Sequence, residues 1–155
     1  MFRYRVALIR VALGLALSVF GAASSEAAKC TIATSPVVFG IYNVFTIAPS
    51  DSTGTVVYNC NGGAKNIWVT ISRGTSSTFN PRQMAKGVER LGYNLYRDAP
   101  RTSIWGDLTG GTTVHLDANP PNNNDVTVTI YGRISAGQDI SAGAYADNVT
   151  VEINF

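Results

Sequence analysis

The stretch Ala146-Asp147-Asn148-Val149-Thr150-Val151-Glu152-Ile153-Asn154-Phe155 sets the fold class. Val149, Val151, Ile153 and Phe155 fall on one face of an extended chain, and Asn148, Thr150, Glu152 and Asn154 on the other. Period two is the mark of a strand with one buried face. The same alternation runs through Val126, Val128 and Ile130, through Ile67, Val69 and Ile71, and through Leu91, Tyr93 and Leu95. Thr53 to Cys60 and Thr31 to Phe39 also read as extended, the latter broken at Pro36, and Thr112 to Leu116 is a weaker strand. Helical periodicity is absent. Asn61-Gly62-Gly63, Pro120-Pro121-Asn122-Asn123-Asn124-Asp125 and Ser141-Ala142-Gly143 supply turns between the runs. Some seven short strands with turn signals between them predict an all-β sandwich. Neither an internal repeat nor a low-complexity tail interrupts them.

The other end of the chain reads as a targeting segment. Arg3, Arg5 and Arg10 precede an uncharged apolar run of 13 residues, Val11 to Ala23, and small residues follow in Ser24-Ser25-Glu26-Ala27-Ala28. That order is a secretory signal peptide, with cleavage expected after Ala27 or Ala28 and Ala23 a weaker third site. The run is shorter than the roughly 17 to 25 residues of a spanning helix, so no stable membrane insertion is expected. The predicted division is residues 1–28 as signal and 29–155 as one domain. Arg3, Arg5, Arg10 and Glu26 leave with the signal, which takes Lys+Arg from 12 to 9 and Asp+Glu from 10 to 9. A formally neutral domain without a basic cluster has no means of gripping a phosphate backbone, so no nucleic-acid partner is expected.

An oxidising destination lets Cys30 and Cys60 persist as a disulfide. In the chain-entropy model a loop of this length is worth about 3.7 kcal/mol. The rival readings are two free thiols or a metal pair; two distant cysteines and the single histidine cannot close a tetrahedral site. No metal or other cofactor is expected. Catalysis finds little support either. His115 lies two residues from Asp117, so both can share a strand face, but no nucleophile motif surrounds them. A polar strand-end pair is the reading, and the chain is not expected to be an enzyme. Asp98 and Arg101 are expected to form a turn salt bridge, and the sequon Asn148-Val149-Thr150 sits inside a strand. Trp68 is expected on the solvent face, because Ile67 and Val69 occupy the other, which makes it a candidate adhesive aromatic.

Several blocks carry a family resemblance: Cys30-Thr31-Ile32 with Val38-Phe39-Gly40-Ile41-Tyr42, Gly54 through Cys60, Leu91 through Asp98, and Trp105-Gly106-Asp107. The strongest are Tyr131 through Gln138 and Ala142 through Val151. In order, they resemble the spore coat protein U domain, shared with subunits of archaic chaperone–usher pili. The resemblance implies a structural subunit whose immunoglobulin-like sandwich lacks its last strand. A periplasmic pilus chaperone lends that strand, an outer-membrane usher exports the subunit, and a neighbouring pilin subunit then replaces the strand. The physics is β-strand addition. Val149, Val151, Ile153 and Phe155 are expected to line the acceptor groove, at an edge that ends the sequence given. Cleavage near Ala28 leaves a residue or two before Cys30, too short for a donor strand, so a fibre-tip position is the expectation. The alternative is a self-sufficient secreted carbohydrate-binding or adhesive module.

Overall fold

A computed structural model describes residues 27–155 of the chain. The expected signal segment lies outside the described residues, apart from Ala27 and Ala28. The described residues form strands and no helix: β1 (Lys29–Ser35), β2 (Ser50–Asn61), β3 (Ile67–Ile71), β4 (Arg82–Lys86), β5 (Glu89–Tyr96), β6 (His115–Asp117), β7 (Asp125–Ile134) and β8 (Val151–Asn154).

Local chemistry explains most of the boundaries. β1 stops at Pro36, which has no N–H to continue a ladder. β2 stops at Asn61, where Gly62 and Gly63 both take positive φ. A two-residue turn, Gly87-Val88, joins β4 to β5 through the Lys86–Glu89 pair, with Gly87 again at positive φ.

Two sheets result. One has the order β1-β2-β7-β5-β4 and the other the order β6-β3-β8, with every neighbour antiparallel. Alternation decides what lies between them. Val56 and Tyr58 of β2, Leu91, Tyr93 and Leu95 of β5, and Ile130 and Ile134 of β7 meet Ile67, Val69 and Ile71 of β3 in one core. Trp105, on the connection from β5 to β6, is fully buried there, and its indole N–H donates to the Val69 carbonyl at 2.9 Å. The disulfide joins Cys30 to Cys60, which are register partners on β1 and β2. The two-sheet, all-β arrangement is the sandwich that the alternation predicts.

Four details differ from the reading of the sequence. Strand β4 was not foreseen, because its pattern puts Arg82 on the buried face. The extended run from Thr31 to Phe39 splits: β1 ends at Ser35, and residues 36–49 cross as a strap without ladder pairing. The alternating stretch from Ala146 onward is a ladder only over Val151–Asn154. Upstream of that, Ala146 exchanges hydrogen bonds with Ala85 on β4, and the Thr150 carbonyl accepts from Ser72 N at 2.8 Å. The segment passes from the edge of one sheet to the edge of the other, so it cannot keep a single partner. Finally, Asp98 does not pair with Arg101. Its carboxylate accepts from Thr102 N, Thr102 Oγ1 and Ser103 N, the donors its own turn presents. Arg101 instead reaches Asp51 at 3.3 Å, beside the bidentate Arg133–Asp51 pair.

Candidate functional site

The two sheets close on each other unevenly. β1 and β8 approach across one side of the sandwich but belong to different sheets, so an open seam runs between them. Each has one ladder partner only, β2 for β1 and β3 for β8, which leaves a backbone edge of each without a ladder partner among the described residues.

The strap lies along this seam. Val37 and Phe39 turn inward while Val38 faces solvent, so three strap residues keep the alternation of a strand without its ladder. Two glycines make the approach feasible. A Cβ on Gly132 would sit 2.5 Å from Val37 Cγ1 and 2.7 Å from Phe39 Cζ; one on Gly54 would sit 2.7 Å from the Ser35 carbonyl oxygen. No real side chain fits at those distances. Phe39 then packs edge-on against Tyr93, with ring centroids 6.1 Å apart. Ser52 Oγ donates to the Val38 carbonyl at 2.6 Å, and Tyr42 OH donates to the Ser135 carbonyl at 3.0 Å.

Between the strap and residues 143–151 lie two depressions of about 320 Å³ each. The first is bounded by Thr34 to Val37 on one lip and by Asp147, Val149 and Val151 on the other, over Tyr93, Leu95 and Ile130. The second continues between Val38 to Gly40 and Gly143 to Ala146, over Leu91 and Ile134. Val37, Phe39, Met84 and Asp147 line both. The floor is therefore the hydrophobic core itself, reached from outside.

Asp147 fixes one lip. Its Oδ1 accepts from Thr75 N and Thr75 Oγ1, each at 3.0 Å, and its Oδ2 accepts from Tyr93 OH at 2.7 Å. Burial, and then the adjacent carboxylate, push the Tyr93 phenol far above its ordinary value, so it stays a donor. Further along, residues 140–145 are tied to the β4–β5 hairpin. Glu89 accepts from Ser141 and Tyr145, and Lys86 donates to Ser141 Oγ and the Ala142 carbonyl. Hydrogen bonds from Ser141, Lys86 and Tyr145 hold the Glu89 carboxyl down at about 2. A third hollow, of about 370 Å³, lies between this loop and strap residues Ile41 to Phe45.

The four final-strand residues named from sequence are not brought together equally. Val149 and Val151 line the first depression; Ile153 packs against the core beyond it, and Phe155 is 55% exposed and lines neither depression. The strap residues Val37 and Phe39, together with Met84 and Asp147, were not singled out as site residues, although Phe39 and Asp147 each lie within a block that carried the family resemblance. The signal for Val37 and Phe39 was present as alternation beyond Pro36.

Two other sequence candidates lie elsewhere. Trp68 is 41% exposed on the outer face of β3, beside its register partners Leu116 and Asn154. His115 and Asp117 do share a face: Tyr58 OH donates to Asp117 Oδ2 at 2.8 Å and lies 3.2 Å from His115 Nε2. Burial, then Arg97, lower the His115 pKa. The trio bridges β2 and β6, and none of its residues lines the depressions along the strap.

The chain is 32% identical to Protein U of Myxococcus xanthus over 84 residues, covering 53% of this chain and 45% of that protein. Its fold is similar to a chain of the solved CsuC–CsuE chaperone–tip adhesion subunit pre-assembly complex from archaic chaperone–usher Csu pili of Acinetobacter baumannii. There the TM-score is 0.57 at 23% identity, over 83% of this chain and 40% of that one. The chain thus spans less than half the length of either. The family model of the Spore Coat Protein U domain matches residues 16–152. With most of its sequence matched and its two-sheet fold shared, the chain belongs to the Spore Coat Protein U domain family.

Proposed function

We propose that this chain is an exported structural subunit of a chaperone–usher pilus or coat-type surface assembly, and that its seam accepts a β-strand from another chain. The observation that carries this reading is the pair of depressions that open onto the core along the seam, the first of them between the β1 and β8 edges that lack a second ladder partner among the described residues. An added strand would find hydrogen-bonding groups along β8 and apolar space below. It would also cover side chains that are half-buried, each worth about 1.5–3 kcal/mol when fully removed from water. In this reading residues 1–28 are a cleaved signal, and the route passes through the periplasm. A pilus chaperone supplies the first strand, an outer-membrane usher passes the subunit outward, and a neighbouring subunit supplies the replacement. A fibre-tip position goes with the short segment that cleavage near Ala28 would leave before β1. The role is assembly rather than catalysis, with no cofactor in it.

The test is co-expression with a chaperone encoded beside this gene. The subunit is expected as a one-to-one complex, with cysteine pairs engineered at Val151 and along the chaperone edge strand cross-linking in a single register. A soluble monomer that unfolds cooperatively and takes no strand would end the proposal.

A second reading has its own observation. Ile41, Phe45 and Ile47 on the strap are each at least 90% exposed, and Trp68 adds an aromatic on the outer face of β3. An adhesive or carbohydrate-binding module would use such groups. Retention on a hydrophobic surface or an immobilised polysaccharide, lost on Phe45→Ser or Trp68→Ala with the fold intact, would favour it.

A further inference from the structure

We propose that Asp147 is a specificity-determining residue of the seam: it selects a strand with a hydrogen-bond-donating side chain two residues from an apolar one on either side. A carboxylate at that central position is rejected. This rests on the strand-accepting reading and names the chemistry of the strand that fits.

Geometry comes first. Asp147 is the charged member of the four residues that line both depressions, the others being Val37, Phe39 and Met84, so an extended segment running from one to the other passes beside its carboxylate. Side chains on one face of a strand recur every second residue, roughly 7 Å apart. Apolar side chains seated in the two depressions thus sit on the same face as the residue between them, in the pattern apolar-x-polar-x-apolar.

Charge comes next. A carboxylate offers about four acceptor sites. Three are used, by Thr75 N, Thr75 Oγ1 and Tyr93 OH. Among the described residues no Lys or Arg forms a salt bridge with it. Arg82 is close enough to feel its charge, yet its own donors point at Ser72, Asn94, Ile71 and Trp105. Three hydrogen bonds hold the Asp147 carboxylate in place, and its oxygens occupy the space that a Cβ on Gly74 would need. With the seam open, water solvates the remaining charge. A strand laid across removes that water and leaves a charge short of a partner, which is costly. Ser, Thr, Asn or Lys opposite supplies the missing donor. Asp or Glu opposite adds like-charge repulsion in a drying site.

The experiment is a fluorescence-anisotropy titration of the chain, as recovered after export, with labelled peptides about eleven residues long, roughly 36 Å when extended. Each carries Leu-Thr-Xaa-Thr-Leu at its centre, with Xaa as Ser, Lys, Leu or Asp. The Ser and Lys peptides are expected to bind about tenfold or more tightly than the Asp peptide, a difference of about 1.4 kcal/mol. Asp147→Asn keeps the shape and an oxygen for the Thr75 donors, turns the Tyr93 side into an N–H donor that a rotated Tyr93 hydroxyl can accept, and removes the charge; it is expected to shrink that ratio to about twofold or less. Equal affinity of the Ser and Asp peptides for the unaltered chain would overturn the assignment, and needs no variant to fold. A ratio that persists in Asp147→Asn overturns it as well, by assigning selection to another group. Failure of every peptide to bind sinks the strand-accepting reading itself, and the assignment with it.

Discussion

Arg82 and Asp147 are both charged residues set into the apolar interior of one sandwich, and the chain satisfies them in opposite ways. Arg82 has no exposed surface. Its Nε donates to the Ser72 carbonyl at 3.0 Å, Nη1 to Asn94 Oδ1 at 2.8 Å, and Nη2 to the Trp105 and Ile71 carbonyls at 2.6 and 3.3 Å. The Phe79 ring lies 4.9 Å from the guanidinium. Burial pulls its pKa down to about 10, which still leaves it charged at neutral pH. Asp147 meets hydrogen-bond donors of its own domain on one side and open depressions on the other. The Arg82 corner is finished wall: every partner comes from this chain. At the seam the same core is reached from outside through a gap.

Four substitutions or conditions test that contrast. The largest effect is expected from Arg82→Met, which strands buried carbonyl groups and the Asn94 amide. A loss of about 4 kcal/mol in urea unfolding is expected, against about 1 kcal/mol or less for Asp147→Asn. Equal losses would dissolve the distinction between wall and seam. Replacing both cysteines by serine comes next. The expected loss is about 3.7 kcal/mol if loop entropy governs. Full retention of the unfolding midpoint would show that the β1–β2 ladder alone holds the seam's first edge.

Gly132→Ala sharpens the comparison at the strap. The new methyl would displace Val37 and Phe39, at about 1–3 kcal/mol for a crowded site. Limited proteolysis is expected to cut within residues 36–42 in the variant and not in the parent chain. Unchanged digestion would mean the strap does not depend on the glycine.

The smallest effect concerns His115, on the closed side. Its pKa is lowered in the folded chain, chiefly by burial and then by Arg97, with Asp117 opposing. The unfolded chain therefore binds the proton more readily. The stabilising contribution is complete above about pH 6.5, the ordinary histidine value, and is lost as pH falls through the lower folded value. Thermal midpoints are expected to decline across that window, and His115→Gln to flatten the decline. A decline that persists unchanged in the variant would overturn the assignment to His115; the contributions of Glu89 and Asp98, each held at about 2, are lost at lower pH, from about 4.5 and 3.8 downward.

Most of the strands were legible, because alternation survives wherever one face is buried. Ile67, Val69 and Ile71 read as core and are fully buried; Trp68 between them read as exposed and is. The β4 strand was not legible. Arg82 on its inward face breaks the apolar code, and only four acceptors from distant segments make it tolerable there. The strap was half legible. Pro36 marked the break, but nothing local says that Val37 and Phe39 settle over Gly54 and Gly132.

The candidate site divides along the same line. Val149 and Val151 could be named from their own stretch. Ile153 and Phe155 carry an identical pattern yet lie beyond the depressions, because the segment from Ala146 passes from the edge of one sheet to the edge of the other before β8 begins. Met84 gave no signal, since a methionine in a short run is equally at home in a core.

By itself the sequence determined an all-β sandwich, a disulfide-ready cysteine pair and membership in a family. These follow from local periodicity and ordered motifs, which need no partner to be read. Only the tertiary structure decided where the sandwich stays open. A seam is a relation between β1, β8 and a strap drawn from three parts of the chain. Whether their half-buried side chains meet each other or face a gap depends on how two sheets are offset, which no single stretch encodes.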